Sequence, residues 1–163
     1  MFDVIRELIH AINLKTYGYM LDHVDKYARD LYKEEMSRDE FIDSMASLIE
    51  EQLKRAWNEG MRNNGLDPKE DMTSEWQDIL DNLILDQWGY IEGYADDIIQ
   101  GAKDGTPVEE FRARASLWAN RYNETVSEAE LVTASKGDKL EWVLGATEQH
   151  CDSCLRLNGI VIS

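Results

Sequence analysis

The sequence has few of the residues that build disulfide frameworks or membrane spans. Only two cysteines and two prolines occur among its 163 residues. Two cysteines in a chain kept in a reducing compartment do not make a disulfide framework. The longest apolar runs are a few residues, whereas a helix needs roughly 20 to cross a bilayer. The composition therefore predicts a globular domain that is long enough to bury a hydrophobic core.

The N-terminal segment also lacks the features of a secretory signal. Met1 to Glu7 has neither the basic start nor the apolar middle of a signal peptide. We therefore expect the chain to be made and kept in a cytosol unless an assembly carries it out.

Positive charge is scarce as well. Asp and Glu number 33 against 17 Lys and Arg, which gives a formal net charge of −16. A surface of this sign repels phosphate groups and anionic lipids, so we expect no direct nucleic-acid binding and no membrane role from this segment. The acids are expected to solubilise exposed helix faces. Charge alone does not separate this from a surface that avoids DNA or binds a basic partner.

The sequence is rich in helical patterns. Apolar residues recur at three- and four-residue steps, the period of an amphipathic helix, in four stretches at about 2–36 (with a break near 13–18), 39–63, 68 or 73 to 102, and 107–135. Ser37 to Glu40 forms a capping box, and Thr106-Pro107-Val108-Glu109 combines a threonine N-cap with proline at the first helical position. The sequence predicts a mainly α fold with four to five long amphipathic helices, in a bundle or an elongated array.

The final part of the chain changes character. Gly137 is placed as a helix C-cap, and Lys139 to Ala146 then has a strand-like pattern. Gly159 to Ile162 is a second strand-like run, and both cysteines lie between the two runs. We therefore predict an acidic helical domain over residues 1–136 and a Cys-containing β-hairpin element over residues 137–163.

Cys151-Asp152-Ser153-Cys154 is the candidate metal site. Two thiolates at this spacing lie on one side of a tight turn and can share a zinc ion, but structural zinc takes four ligands. His150 is a candidate third ligand, although a residue next to a ligating cysteine usually points elsewhere. Any remaining ligand would come from beyond Ser163 or from another subunit. Two reduced or bridged cysteines that pack a turn are an equal alternative, and a redox pair is a third.

No motif for catalysis accompanies these residues. Adjacent acids such as Glu34 and Glu35 diverge by about 100° on a helix, so they do not face one another as catalytic carboxylates do. The sequence also contains no phosphate-binding glycine loop, helical His-x-x-x-His pair or hydrolase serine motif. We therefore expect the chain not to be an enzyme.

The tryptophans are assigned from their positions on the helical stripes. Large aromatic residues on such stripes usually belong to the core, and we expect this of four of them: Trp57, Trp76, Trp88 and Trp118. Trp142 alternates with Leu140 and Leu144 on the first predicted strand. Its side chain is expected to cover the helical core or to contact a partner.

The C-terminal pattern resembles a known family. Trp142, the Gly145-Ala146-Thr147 step, the turn from His150 to Cys154 and the Leu157-Asn158-Gly159 step resemble the motif of the head-morphogenesis, or minor head, proteins of tailed bacteriophages (the MuF-like family). Helices of the family often carry an Arg-Thr-Glu triplet just upstream. The nearest counterpart here is the stretch from Arg121 to Glu124, which has an extra residue and no threonine. The specific part of the resemblance covers about the last quarter of the chain.

The resemblance implies a structural role. Such proteins are present in few copies inside the head, associate with the portal vertex, and help assembly or genome delivery. The implied partners are portal or capsid proteins, and the implied location is the host cytoplasm and then the capsid interior of the virion. A homo-oligomer is also compatible with the sequence, which does not reveal the oligomeric state. The resemblance also implies more residues after Ser163, commonly with cysteines that complete a metal site.

Two other functions are compatible with the same residues. The chain could be the N-terminal module of a prophage-derived polymorphic toxin, in which case an enzyme would follow Ser163. It could also be a small zinc- or redox-dependent helical module unrelated to phage, in which case the fold or an activity would depend on Cys151 and Cys154.

Overall fold

The computed structural model describes residues 17–134, 140–141 and 161–162. The chain divides into two compact units, residues 1–133 and 134–163; the boundary predicted between residues 136 and 137 stays a prediction. The protein is mainly helical, as predicted, and the described part of the first unit contains only helices, turns and loops. Its helices are α1 (Tyr17–Tyr32), α2 (Arg38–Asn63), α3 (Ser74–Trp88), α4 (Ile91–Asp104), α5 (Val108–Ala113) and α6 (Ala115–Thr133).

The longest described helix, α2, begins at the predicted capping box. The Ser37 hydroxyl accepts a hydrogen bond from the Glu40 N–H at 3.2 Å, and the Glu40 carboxylate accepts one from the Ser37 N–H at 2.8 Å. The backbone hydrogen bond from Ser37 lowers the pKa of the Glu40 carboxyl. These reciprocal bonds satisfy donors that the helix cannot satisfy itself, so the start of α2 is fixed by the sequence.

The third predicted helix is two helices in the structure. α3 begins after Thr73, whose hydroxyl accepts a hydrogen bond from the Trp76 N–H at 3.2 Å. It ends at Trp88, and α4 starts at Ile91. In the connection, the N–H of Tyr90 bonds to the Gln87 carbonyl three residues earlier, which tightens the last turn of α3. The prediction of one continuous helix to residue 102 was therefore wrong.

The fourth predicted helix is also divided. α5 ends at Ala113, and α6 starts at Ala115 after a break at Arg114. The predicted threonine cap is not made, because Pro107 occupies the N-cap position of α5 and provides no side-chain cap bond. The Thr106 carbonyl instead accepts a hydrogen bond from the Tyr32 hydroxyl at 2.6 Å, which connects α1 to the start of α5.

The core forms around the pair α2 and α6, with α1 packed against both helices. Gly60 of α2 lies directly against α6. A Cβ atom at this position would be 2.5 Å from the Ala129 Cβ atom and 2.6 Å from the Val126 carbonyl oxygen. Glycine therefore allows the two helices to come this close. The largest fully buried apolar side chains are Trp57, Tyr94, Phe41, Met20, Met45, Ile49, Leu53, Met61, Leu80, Ile91 and Ile98.

The tryptophans follow the predicted pattern with one exception. Trp57 and Trp118 are buried, and Trp76 is partly buried against the core. Trp88 is 36% exposed at the end of α3, where its indole N–H donates to the Ala46 carbonyl at 3.1 Å. Its ring therefore lies at the edge of the core, with its polar atom satisfied from α2.

The described residues of the second unit form a short ladder. β1 (Leu140–Glu141) pairs antiparallel with β2 (Val161–Ile162), with Leu140 opposite Ile162 and Glu141 opposite Val161. The rest of the predicted hairpin, including its cysteine-containing turn, lies outside the described residues. The hairpin as a whole therefore stays a prediction. Among the described helices, none combines the length and the apolar character needed to cross a membrane.

Candidate interaction surface

Helix α6 has one face in the core and one face toward solvent. The inner face holds buried residues that pack on α1 and α2, namely Ala115, Trp118, Ala119, Tyr122, Thr125, Ala129 and Thr133. On the opposite side, residues at alternating steps of four and three form a single stripe. We call this stripe the outer face of α6, and it consists of Leu117, Arg121, Glu124, Glu128 and Leu131.

Both ends of the outer face are apolar and exposed. Leu117 is 60% exposed and Leu131 is 57% exposed. Tyr90, from the α3–α4 connection, is 66% exposed and lines a shallow depression together with Leu117 and Arg121. Single exposed apolar residues are ordinary on protein surfaces. Here Leu117 lies beside an exposed tyrosine and an arginine, two residue types that are enriched at protein interfaces.

The middle of the outer face is charged. Arg121 forms an ion pair with Glu124 one turn later, and both side chains are exposed. These are two of the residues that the sequence resemblance selected. Glu128, one further turn along, is partly buried and lines the same depressions as Glu124. Because the exposed pair is in water, it contributes little to the stability of the fold, and both groups remain available to a partner.

Tyr122, which follows Arg121, determines which side of α6 faces α2. Tyr122 is buried, and its hydroxyl donates to the Glu59 carboxylate of α2 at 2.6 Å. Burial raises the pKa of Tyr122, and the hydrogen bond to Glu59 raises it further. With Tyr122 held against α2, the side chains of Arg121 and Glu124 lie on the solvent side of the helix. Positions three apart lie on one face of a helix, which places the side chains of Arg121 and Glu124 together.

The C-terminal end of α2 holds the same helix at a second point. The Asn64 amide donates to the Glu130 carbonyl at 2.8 Å and to the Thr133 hydroxyl at 3.0 Å. These bonds act on the last turn of α6, whereas Tyr122 acts near its middle. Two polar contacts on the inner side thus set the orientation of the outer face.

Arg114 lies at the N-terminal end of α6, next to the outer face. Its guanidinium contacts the Asp97 carboxylate at 2.8 Å and lies 4.7 Å from the centre of the Tyr94 ring. It also lines the depression that contains Tyr90 and Leu117. The Tyr94 ring and the Asp97 carboxylate both hold the guanidinium in place, so an ion-paired arginine lies beside Leu117.

The remaining candidate residues from the sequence lie outside the described residues: Trp142, His150, Cys151, Cys154 and Gly159. The predicted half-site for zinc therefore stays a prediction. Within residues 17–134 and the two short strands, no group of three or more His, Cys, Asp or Glu side chains is arranged to hold a metal ion.

Sequence reasoning selected Arg121 and Glu124 but missed Leu117, Glu128 and Leu131. A signal for the missed residues was present. The five positions follow i, i+4, i+7, i+11 and i+14, which is one face of a helix. This stripe is obscured because a second apolar stripe on the same helix belongs to the core.

Comparison with known proteins adds no relative, since no family model, curated protein or solved structure matches the chain.

Proposed function

We propose that the chain is a non-enzymatic minor head protein of a phage or prophage, which binds portal or capsid proteins and aids head assembly or genome delivery. The observation that carries the proposal is the C-terminal sequence motif, from Trp142 through Cys151 and Cys154 to Gly159, after an acidic helical body. The exposed leucines on the outer face of α6 support a role that depends on contact with other proteins.

The acidic charge of the whole chain agrees with a position beside packaged DNA. A net charge of −16 repels phosphate, so binding energy in a capsid interior comes from protein surfaces rather than from the genome. An acidic body that contacts the portal would leave the DNA path free. The same charge favours a partner surface with basic residues.

We further propose that residues 137–163 form a Cys-containing hairpin whose cysteines supply half of a zinc site. His150 is the nearest candidate for a third ligand. The test is to measure the zinc content of the purified protein and its unfolding with and without a chelator. Bound zinc that is lost in Cys151→Ser and Cys154→Ser, together with lower stability after chelation, would support the site. Protein without zinc, or with stability indifferent to the chelator, would overturn it.

The function itself is tested at the source locus. We would sequence the reading frame through Ser163 and the flanking genes, and then follow a tagged chain into particles purified after induction. Portal and terminase-like neighbours, and a chain that enters particles in low copy number, are expected. A matched control is the same strain without the portal gene, in which the chain should be absent from any particles formed.

Other outcomes would identify the alternatives. A reading frame that continues into a toxin or transferase domain would favour the trafficking module of a polymorphic toxin. A stop codon at Ser163 among metabolic or redox genes would overturn the phage proposal.

A further inference from the structure

We propose that two copies of the chain pair through the outer faces of α6, in an antiparallel and two-fold symmetric arrangement. The proposal rests on the order of side chains along this face, which is self-complementary in one direction and not in the other. It uses the same exposed leucines that support the proposed function, but it does not require portal or capsid partners, because it is argued from the described residues of the helical body.

The apolar ends of the outer face match under two-fold symmetry. Leu117 lies seven residues before Glu124, and Leu131 lies seven residues after it. Two α6 helices that cross antiparallel at Glu124 therefore place Leu117 of each copy beside Leu131 of the other. The leucines are about 21 Å apart along the helix, so the contact has an apolar cluster at each end.

The charges between the leucines match in the same arrangement. Arg121 lies three residues before Glu124, and Glu128 lies four residues after it. The difference of one residue is about 1.5 Å of helix rise, which long side chains accommodate. Antiparallel pairing therefore brings Arg121 of each copy to Glu128 of the other, and forms two intermolecular ion pairs.

A parallel arrangement in register would place like charges against each other. Arg121 would meet the second copy's Arg121, and Glu128 would meet the second copy's Glu128. Like charges in contact at an interface repel, which destabilises the parallel arrangement relative to the antiparallel one. The charge order thus selects the antiparallel pair as the complementary one.

At the centre of the contact, two glutamates of like charge come together. Glu124 of the two copies would lie close together near the symmetry axis. Each is already paired with Arg121 of its own chain, which is placed to contact the second copy's Glu128 as well. Each Arg121 then lies between its own Glu124 and the second copy's Glu128, so each carboxylate at the axis keeps one arginine partner, in a contact that holds four glutamates and two arginines. The neighbouring Tyr90 extends the apolar contact beside Leu117.

The test uses charge reversal and mixing. We would measure the molar mass of the full chain by sedimentation or light scattering at physiological salt, where long-range repulsion between two acidic bodies is screened beyond about 8 Å. The wild type is expected to approach twice 18.8 kDa with rising concentration. Arg121→Glu and Glu128→Arg should each weaken the dimer by more than about tenfold, because each places like charges in contact.

Mixing the two variants gives the decisive result. Arg121→Glu in one chain and Glu128→Arg in the other restore both ion pairs, so differently tagged variants should form a heterodimer although neither dimerises alone. The double variant R121E/E128R should dimerise with itself. The control is Arg38→Glu, which breaks a similar exposed ion pair with Asp96 outside the outer face and should leave the dimer unchanged.

Three results would overturn the proposal. These are a monomeric wild type, a wild-type dimer that tolerates both single reversals, and variants that remain folded but do not pair on mixing. A monomeric wild type would leave the outer face to another segment of the chain or to a different protein.

Discussion

The close contact between α2 and α6 makes a prediction whose sign opposes the one from helix propensity. Gly60 lies in the interior of α2, where replacing glycine by alanine normally stabilises a helix by about 1 kcal/mol. In the structure, the added Cβ atom would lie 2.5 Å from the Ala129 Cβ atom and 2.6 Å from the Val126 carbonyl oxygen. We therefore expect Gly60→Ala to destabilise the protein.

The magnitude follows from the geometry. Carbon atoms in van der Waals contact are about 3.5–4.0 Å apart, so α2 and α6 would have to separate by about 1 Å. Two of the three nearest atoms belong to the backbone of α6, which a change of side-chain rotamer does not move. Overpacking of this kind costs about 1–3 kcal/mol. After the gain of about 1 kcal/mol in helix propensity is subtracted, we expect a net loss of up to about 2 kcal/mol in the free energy of unfolding.

The assay is urea unfolding followed by helical circular dichroism, at one fixed protein concentration. The matched control is Gly93→Ala, since Gly93 is also helical but has no atom within 4 Å of its added Cβ position. Gly93→Ala should be neutral or stabilising by up to about 1 kcal/mol. If Gly60→Ala is as stable as Gly93→Ala, then α2 and α6 do not approach as described, and the account of the core is wrong.

Three further changes test other contacts. Ser37→Ala removes the capping box of α2 and should cost about 1 kcal/mol in urea unfolding; an unchanged midpoint would contradict the cap. Tyr94→Phe removes a buried 2.7 Å hydrogen bond to an α5 carbonyl and should also cost about 1 kcal/mol, whereas no loss would place the hydroxyl in water. The hydrogen bond from Lys26 lowers the pKa of Asp30, so Asp30 stabilises the fold above its unfolded pKa of about 3.9 and loses this effect as pH falls through its folded value. The stability difference between wild type and Asp30→Asn should therefore be largest near neutral pH and shrink in acid; a constant difference would refute the assignment.

The helices that could be predicted are those with both a periodic apolar face and a local start signal. α2 is the clear case, since the capping box at Ser37 and the apolar period fix its start and its inner side. The breaks at Tyr90 and Arg114 were missed because neither carries a strong turn residue in the right place. Gly89 is compatible with a helix interior, and Arg114 is a good helix former. Because no local signal marks either break, helix propensity alone does not locate them, and tertiary context overrides propensity there.

The sequence predicted only part of the outer face of α6. Arg121 and Glu124 were selected through a family resemblance, and their position on one exposed face agrees with the helix period. Leu117 and Leu131 were not selected, because the most frequent place for a leucine on a helix is the core. Their exposure depends on the rotation of α6, which the contacts of Tyr122 and Asn64 with neighbouring groups determine.

The two stripes of α6 connect the fold to the proposed interaction. A helix on the surface of a monomer needs only one apolar face, and the opposite face is normally polar throughout. α6 uses small or aromatic residues on its inner face, which allows α2 to approach closely at Gly60. Its outer face then carries leucines that contribute nothing to this core, at 60% and 57% exposure. Leu117 and Leu131 are therefore the exposed apolar residues that the proposed pairing of two α6 helices would cover.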